Sequence, residues 1–323
     1  MADPLRPKRI LTDIHPRSWE HPADRAALNA LRKIPVFDEV LRKLLEILGE
    51  KATRLAFLAS AVRVTPDQYP RVHKLWDEVC RTLDAPGEYP LYVTQNPTLN
   101  AAAYGMSKPF VIVHDTLVKT FDDDELRFVL GHELGHVMSG HTLYNTMIQL
   151  LIALAGMGFP IVGLAARAVL LALLEWSRKA ELSCDRAGIL AVQAPEPGLR
   201  VMLKFAGGTQ PEANLGEFIR QSDEYRETGD LADQVYKVLI LLGMTHPFPV
   251  LRVAEQRNWF ESGAYERIMA GDYLRRGEDS GPVSEDFAEA GKSYRESAKE
   301  TFGQAADAAR KVMDGFRSGF NRD

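Results

Sequence analysis

Residues 122–138 read DDDELRFVLGHELGHVM, and this stretch decides the interpretation of the fold. Its acidic first turn can cap the free backbone amides of a helix and complement the helix dipole. Apolar residues then recur at helical spacing. Gly131 and Gly135 carry no side chain, so another element can approach this helix closely. We therefore predict a helix from about Asp123 to beyond His136, packed tightly against a second element.

His132 and His136 stand four residues apart on the predicted helix. Their imidazoles therefore point from the same face and can reach one metal ion. Glu133 lies at the edge of that face, where its carboxylate can take a proton from a metal-bound water without binding the metal. The alternative interpretation is a helix with two ordinary histidines. We favour a zinc site with an open position for hydrolysis.

Glu181 and Asp185 share one face of a second helix, predicted from Trp176 to about Val192. Glu181 could be the third zinc ligand, and Asp185 could hydrogen-bond the outer nitrogen of a ligating histidine. By itself such a pair is more often part of a solvated face, so this interpretation depends on the histidines. Cys184 is either a small buried residue, which we favour, or a redox-sensitive extra ligand.

Together these residues resemble the gluzincin metallopeptidases that include the bacterial protease HtpX and the CAAX prenyl endopeptidases. The resemblance covers about residues 90–260 and is carried by four elements in the order of that family. They are Asn100-Ala101 with Gly105 before a strand at 110–113, the motif His132 to His136, the pair Glu181 and Asp185 followed by Arg186-Ala187-Gly188, and Thr245-His246-Pro247 with Pro249 and Arg252. The resemblance implies a mainly α (α+β) fold, with a zincin-like metallopeptidase core and a small sheet edge.

The resemblance also implies a role for each matched residue. Glu181 would be the third ligand of one Zn²⁺ per chain, and Asp185 would support a ligand. His246 would stabilise the developing oxyanion, and Arg252 would pair with acidic groups beneath the metal. The implied reaction is hydrolysis of a peptide bond, in which Glu133 activates a zinc-bound water.

The expected substrate is an unfolded protein or a loop. In the family, an edge strand binds an extended peptide by main-chain pairing. The residues that would bind substrate here are Asn100, Phe110, Val111, Ile112 and Val113. A zinc-binding chaperone or assembly protein on the same fold is the alternative function. An intact Glu133 argues against it, because a structural zinc site needs no general base.

Four regions are predicted along the chain: an irregular arm at 1–20, an N-terminal helical region at 21–89, the zinc metallopeptidase domain at 90–276 and an amphipathic C-terminal helix within 277–323. The 46% hydrophobic content supports a buried core, and the net charge of −5 argues against a nucleic-acid partner. The first residues contain no secretory signal, and two cysteines suit a reducing compartment. We therefore expect a cytoplasmic protein, either free or peripheral to a membrane.

Two apolar segments leave the membrane question open. Residues 147–174 are almost wholly apolar, and Pro160 with nearby glycines predicts two shorter helices. We favour a hairpin packed beneath the N-terminal helices over one that dips into a bilayer. A single span is excluded, because it would separate the two halves of the zinc site. The apolar stripe of the 283–320 helix favours docking on its own domain or on a protein partner; membrane attachment and occlusion of the cleft are the alternatives.

Overall fold

The structure is a computed structural model that describes residues 8–31, 37, 55, 59–105, 107–156, 163–227 and 246–278. A 3-10 helix spans Pro16–Ser18, and the α-helices whose bounds are described are α1 (Pro22–Leu31), α2 (Pro70–Thr82), α3 (Asp115–Thr120), α4 (Asp123–Met138), α5 (Thr142–Gly156), α6 (Gly163–Val192), α7 (Glu196–Phe205), α8 (Leu215–Glu227), α9 (Pro249–Glu261) and α10 (Ala264–Ala270). The strands are β1 (Val62–Arg63), β2 (Leu91–Thr94), β3 (Ala101–Tyr104) and β4 (Phe110–His114). The mainly helical fold with a small sheet is thus confirmed.

The four strands form one sheet in the order β1-β2-β4-β3. β4 runs parallel to β2 and antiparallel to β3, so both of its sides are paired. The prediction that residues 110–113 form an edge strand is therefore wrong, because β4 has no side left for a peptide. The edge on this side of the sheet is β3. Its three consecutive alanines explain why the sequence did not predict it, since alanine is depleted in strands.

Helix α4 has the predicted extent, and its first turn is tied by a capping box. The side chain of Asp122 accepts from the backbone of Asp124 and Glu125, and Glu125 accepts in return from the N–H of Asp122. Within the predicted N-terminal helical region, however, residues 62–63 form β1. That short strand pairs antiparallel with β2 and extends the sheet on the side away from β3.

Helices α4 and α6 cross so closely that two positions of α4 require glycine. A β-carbon at Gly131 would lie 2.3 Å from Cβ of Ala191. One at Gly135 would lie 2.7 Å from Cβ of Ala187. Because real β-carbons do not approach so closely, a larger residue at either position would push the helices apart. The tight crossing brings the α6 carboxylates to the α4 histidines.

The described part of the N-terminal arm is built into the core. Leu11, Ile14 and Trp19 are fully buried and belong to the same hydrophobic cluster as the sheet, α2 and α4. The backbone N–H of Leu11 donates to the carbonyl of Thr82. Ile14 forms an isolated bridge with Arg275, so the arm also joins the last described residues of the chain.

A second buried cluster joins α1, α5 and α6, which agrees with a hairpin packed on the N-terminal region. It includes Leu31, Tyr144, Met147, Ile148, Leu151, Val169, Leu173, Leu174 and Trp176. Ile152 and Leu171 are exposed on the hairpin, and their contact with a bilayer stays a prediction. Among the helices described, none combines the length and the apolar character needed to cross a membrane. Residues 157–162 of the hairpin and the predicted 283–320 helix lie outside the described residues.

Candidate metal centre and cleft

Three potential metal ligands converge where α4 crosses α6. The ligand atoms of His132, His136 and Glu181 all lie within 4.8 Å of one another. Nε2 of His132 is 3.3 Å from Oε2 of Glu181, and Nε2 of His136 is 3.2 Å from Oε1. All three side chains are buried. The structure therefore brings together residues that the sequence separates by 49 positions.

The donor set fits a metal ion. Among the residues that the structure describes, Oε2 of Glu181 accepts no hydrogen bond although it is buried. Its nearest polar neighbours are Nε2 of His132 and Nη1 of Arg252, each at 3.3 Å, which is too long or poorly aligned for a hydrogen bond. A cation between the ligands would give this buried oxygen a direct partner. Two imidazoles and one carboxylate are ligands that zinc accepts in sites with an open fourth position.

Asp185 and Arg252 support this cluster from behind. Oδ1 of Asp185 is 3.0 Å from Nδ1 of His132. Arg252 donates to both oxygens of Asp185, from Nε at 2.8 Å and from Nη2 at 2.5 Å. Although burial raises the pKa of Asp185, the charge of Arg252 and its hydrogen bonds hold that pKa below its usual value. Asp185 is therefore ionised and can orient the ring of His132.

The two histidines titrate differently in the protein without a metal. Burial lowers the pKa of His136 to about 4, although the hydrogen bond to Glu181 opposes this. For His132 the burial effect is outweighed by the charge of Glu181 and the hydrogen bond to Asp185, which raise the pKa to about 9. At neutral pH a metal ion would therefore meet a neutral His136 and would displace a proton from His132.

Glu133 lies beside the cluster and accepts a backbone hydrogen bond from Ala103 of β3. Its Oε2 has no hydrogen-bond partner in the described part of the chain. Burial raises the pKa of Glu133 to about 7, against the opposing charge of His132. A carboxylate with this pKa can both accept and release a proton near neutral pH.

Two cavities meet at the cluster and form one cleft. Both are lined by Asn100, Ala101, Glu133, Glu181 and His246. The larger, of about 230 Å³, is mainly apolar, with Leu99, Phe128, Val129, Phe205, Pro247 and Pro249 in its lining. The smaller, of about 120 Å³, is more polar and adds Ala102, Ala103, Tyr104, Asn145, Gln149 and Ser177. β3 therefore runs along the cleft, whereas residues 110–113 line neither cavity.

His246 reaches the cleft from the start of the last described segment. Its Nε2 is 3.6 Å from Oε1 of Glu181, and its side chain is 48% exposed. The preceding residue of the predicted turn, Thr245, lies outside the described residues. The exposure of His246 leaves its ring accessible to a ligand in the cleft.

His141 contacts this centre and Asp24 contacts His141, and neither residue was predicted from the sequence. Nδ1 of His141 is 3.2 Å from Nδ1 of His136, and Nε2 of His141 is 3.3 Å from Oδ2 of Asp24. His141 follows the end of α4, so it has no helical spacing to the motif. Asp24 belongs to α1, where nothing in the sequence pattern connects it to a metal site.

Comparison with known proteins identifies the family. The model of Peptidase family M48 matches residues 66–260. The plastoglobule-localized metallopeptidase 48 of Arabidopsis thaliana is 33% identical over 272 residues, which cover 81% of this chain and 78% of that protein. An HtpX protease homologue of Tropheryma whipplei is 27% identical over 187 residues, 49% of this chain and 64% of that protein.

A shorter match is found to a probable CAAX prenyl protease 1 of Schizosaccharomyces pombe, 45% identical over 51 residues, which are 16% of this chain and 11% of that protein. No solved structure matches. The family model covers more than half of the chain, and its segment contains both α4 and α6 with their clustered side chains. The chain therefore belongs to Peptidase family M48 and is a metal-dependent peptidase.

Proposed function

We propose that this protein is a zinc endopeptidase that cleaves unfolded segments or loops of other proteins. One observation carries the proposal. The buried ligand atoms of His132, His136 and Glu181 lie within 4.8 Å of one another at the junction of two cavities. Glu133 lines both cavities and has a buried oxygen without a hydrogen-bond partner among the described residues. One Zn²⁺ per chain, held by these three ligands, satisfies the arrangement.

The side chains divide the hydrolytic steps between them. Zinc, when bound, polarises a carbonyl and lowers the pKa of water. Glu133 accepts the proton of the attacking water and passes it to the leaving amine. The backbone N–H of Ala103 holds the Glu133 carboxylate in place for both transfers. His246 donates a hydrogen bond to the oxygen on which negative charge develops.

The edge strand β3 replaces β4 as the proposed peptide-binding strand. The N–H of His114 donates to the carbonyl of Asn100, so this pair is hydrogen-bonded across the two strands. Hydrogen-bonded and non-bonded pairs alternate along an antiparallel ladder. The backbone groups of Ala101 and Ala103 therefore point away from β4. Because the N–H of Ala103 donates to Glu133, the groups proposed to pair with an extended peptide are the N–H of Ala101 and the carbonyls of Ala101 and Ala103. Such pairing favours unfolded segments over intact helices or sheets.

Glu133→Gln tests the proposal with the overall structure kept. We expect zinc-loaded wild type to cleave a reduced, unfolded protein substrate, and Glu133→Gln to lose at least about 100-fold in rate, the usual contribution of a general base. Both proteins should hold about one zinc by metal analysis. Glu217→Gln removes an exposed carboxylate on α8 and is the matched control, with wild-type activity expected.

The outcomes separate the two functional hypotheses. Cleavage by wild type alone supports the endopeptidase. If both proteins hold zinc and neither cleaves, the zinc-binding chaperone becomes the better interpretation, and suppression of substrate aggregation by both proteins would establish it. Zinc that is bound equally well after His132→Ala would contradict the assigned ligands. A partner for the 283–320 helix and attachment to a membrane stay predictions.

A further inference from the structure

A buried chain of side chains leads from the candidate metal centre to the N-terminal helix α1. It begins at Nδ1 of His136, which lies 3.2 Å from Nδ1 of His141. It continues from Nε2 of His141, which lies 3.3 Å from Oδ2 of Asp24. His141 and Asp24 are each 2% exposed, so water cannot replace these contacts.

The positions of the protons in this series of hydrogen bonds follow from which ring nitrogen of His136 faces the proposed metal site. Its Nε2 is the nitrogen beside Glu181, at 3.2 Å from Oε1. A neutral imidazole that offers Nε2 to a metal carries its proton on Nδ1. His136 then donates to His141, whose Nδ1 must accept; the thiol of Cys184, with Sγ 3.6 Å from the same nitrogen, can be a second donor to it. The proton of His141 is therefore on Nε2, where it is donated to Asp24.

Asp24 is itself fixed by α6. Nε1 of Trp176 donates to Oδ1 at 2.9 Å, and Oγ of Ser183 donates to Oδ2 at 2.6 Å. Oγ of Ser183 also accepts from the backbone N–H of His21, beside Asp24, at 2.9 Å. Each of these donors therefore has an acceptor. The ionised carboxylate of Asp24 has no proton to donate, so every hydrogen bond in the series must point towards it.

We propose that His141 and Asp24 are positioning residues that hold His136 in the ring orientation and tautomer required for metal binding. The N-terminal helix α1 is thereby part of the metal centre, although Asp24 precedes the segment 66–260 matched by the family model. The inference rests on the proposed assignment of His136 as a metal ligand. It does not depend on peptidase activity, since its effect is on metal affinity.

A second metal site is the competing explanation for the same cluster. His136, His141 and Cys184 also place one ligand atom each within 4.8 Å of the others. For both sites to be filled, His136 would have to give a nitrogen to each metal and lose both ring protons. A neutral imidazole offers only one acceptor nitrogen. The geometry therefore favours the hydrogen-bonded chain, and the zinc content of the protein distinguishes the two.

Asp24→Asn reverses one link of the chain while the size of the side chain is kept. With its oxygen towards Trp176, the new amide turns its NH₂ group towards His141. His141 must then accept this hydrogen bond on Nε2 and carry its own proton on Nδ1. The Nδ1–H of His141 would then face the Nδ1–H of His136. With the amide turned over, the NH₂ group instead meets Nε1 of Trp176, which is also a donor. Either arrangement leaves two donors facing each other.

Trp176→Phe removes the N–H that would face the NH₂ group of the turned amide. We therefore expect this second substitution to restore Zn²⁺ affinity to Asp24→Asn. In Asp24→Asn, Trp176→Phe the amide oxygen can face His141 and Ser183, and the original direction of the chain returns. We expect Asp24→Asn to bind Zn²⁺ about 10- to 100-fold more weakly than wild type, as is usual when a group that orients a ligand is changed. The double variant should bind Zn²⁺ more tightly than Asp24→Asn alone.

The experiment is a competition titration of Zn²⁺ with a chromophoric chelator, on full-length proteins whose metal-free forms unfold cooperatively. Wild-type affinity in Asp24→Asn would overturn the inference, and so would a double variant no tighter than the single one. Two zinc ions per chain, with one lost in Cys184→Ser, would overturn it in favour of the second site. A loss of affinity from structural damage alone should deepen when Trp176→Phe is added.

Two further measurements check the inference independently of the Asp24 variants. Nitrogen NMR of ¹⁵N-histidine-labelled, zinc-loaded wild type needs no variant, and it should show the proton of His141 on Nε2; a proton on Nδ1 would refute the chain. His132→Ala tests the proposed metal site itself. If it binds Zn²⁺ as tightly as wild type, the site assignment fails together with this inference. If it loses Zn²⁺ while Asp24→Asn does not, only the inference fails.

Discussion

Oδ1 of Asp185 lies 3.0 Å from Nδ1 of His132, and both side chains are buried where α4 crosses α6. Arg252 occupies both oxygens of the same carboxylate. The carboxylate of Asp185 thus orients the ring of His132, and the guanidinium of Arg252 holds that carboxylate in place. As the proposed metal ligand, His132 would bind the metal with little reorganisation, because its rotamer and tautomer are already selected.

Asp185→Asn should therefore weaken Zn²⁺ binding by about 10- to 100-fold. The amide offers one acceptor instead of two, so it cannot serve both His132 and Arg252. Competition with a chelator measures the change. Asp223→Asn is the matched control, because it disrupts a partly exposed pair with Arg257, 2.7 Å apart, on α8 and α9. Equal losses in the two variants would contradict a specific role for Asp185.

Glu133→Gln should stabilise the metal-free protein at alkaline pH. In the folded chain the pKa of Glu133 is raised from 4.5 to about 7, so the unfolded chain ionises this group more easily. Ionisation of Glu133 therefore lowers the free energy of unfolding progressively as the pH rises from about 4.5 to about 7. Glutamine does not ionise, so the variant avoids this loss of stability. We expect the variant to be more stable by about 1–3 kcal/mol at pH 8 and equal to wild type near pH 4. Urea unfolding of chelator-treated proteins at both pH values tests this, and a less stable variant at pH 8 would contradict it.

Ala101→Pro should impair peptide cleavage without removing the metal. The N–H of Ala101 points away from β4, so proline is tolerated by the sheet but cannot donate to a bound peptide. We expect kcat/KM for an extended peptide to fall by about 10-fold, the value of one hydrogen bond at the upper end of its range. Zinc content and the urea midpoint are the controls. Unchanged kcat/KM would show that β3 does not bind the peptide.

Phe205→Ala should alter the cleavage preference. Phe205 lines the apolar cavity beside the metal centre and packs against Phe121, with ring centroids 5.9 Å apart. Removal of the ring enlarges the cavity, so larger apolar side chains next to the scissile bond should gain over smaller ones. A change of about 10-fold in the ratio of kcat/KM for phenylalanine and valine peptides is expected. An unchanged ratio, measured with a peptide library, would place the specificity pocket elsewhere.

The helix that carries His132 and His136 could be predicted because its signals are local. The acidic cap, the apolar spacing and the i, i+4 histidines all lie within 17 residues, 122–138. The pair Glu181 and Asp185 is also local to one helix, but its link to the histidines came from the resemblance to a family. The edge strand was assigned wrongly, because β-branched residues mark 110–113 as a strand without indicating which neighbours pair with it.

The sequence by itself determined the extent of α4, the types of the candidate metal ligands and the glycines that permit a close helix crossing, since each depends on spacing within one element. Only the tertiary structure decided that β3 lines the cleft, that Arg252 pairs with Asp185, and that α1 reaches His136 through Asp24 and His141. These relationships join residues far apart in the chain, and His141 has no periodic relation to the motif. Their pairing is set by the packing of α1, α4 and α6 around buried polar atoms that must find partners once water is excluded.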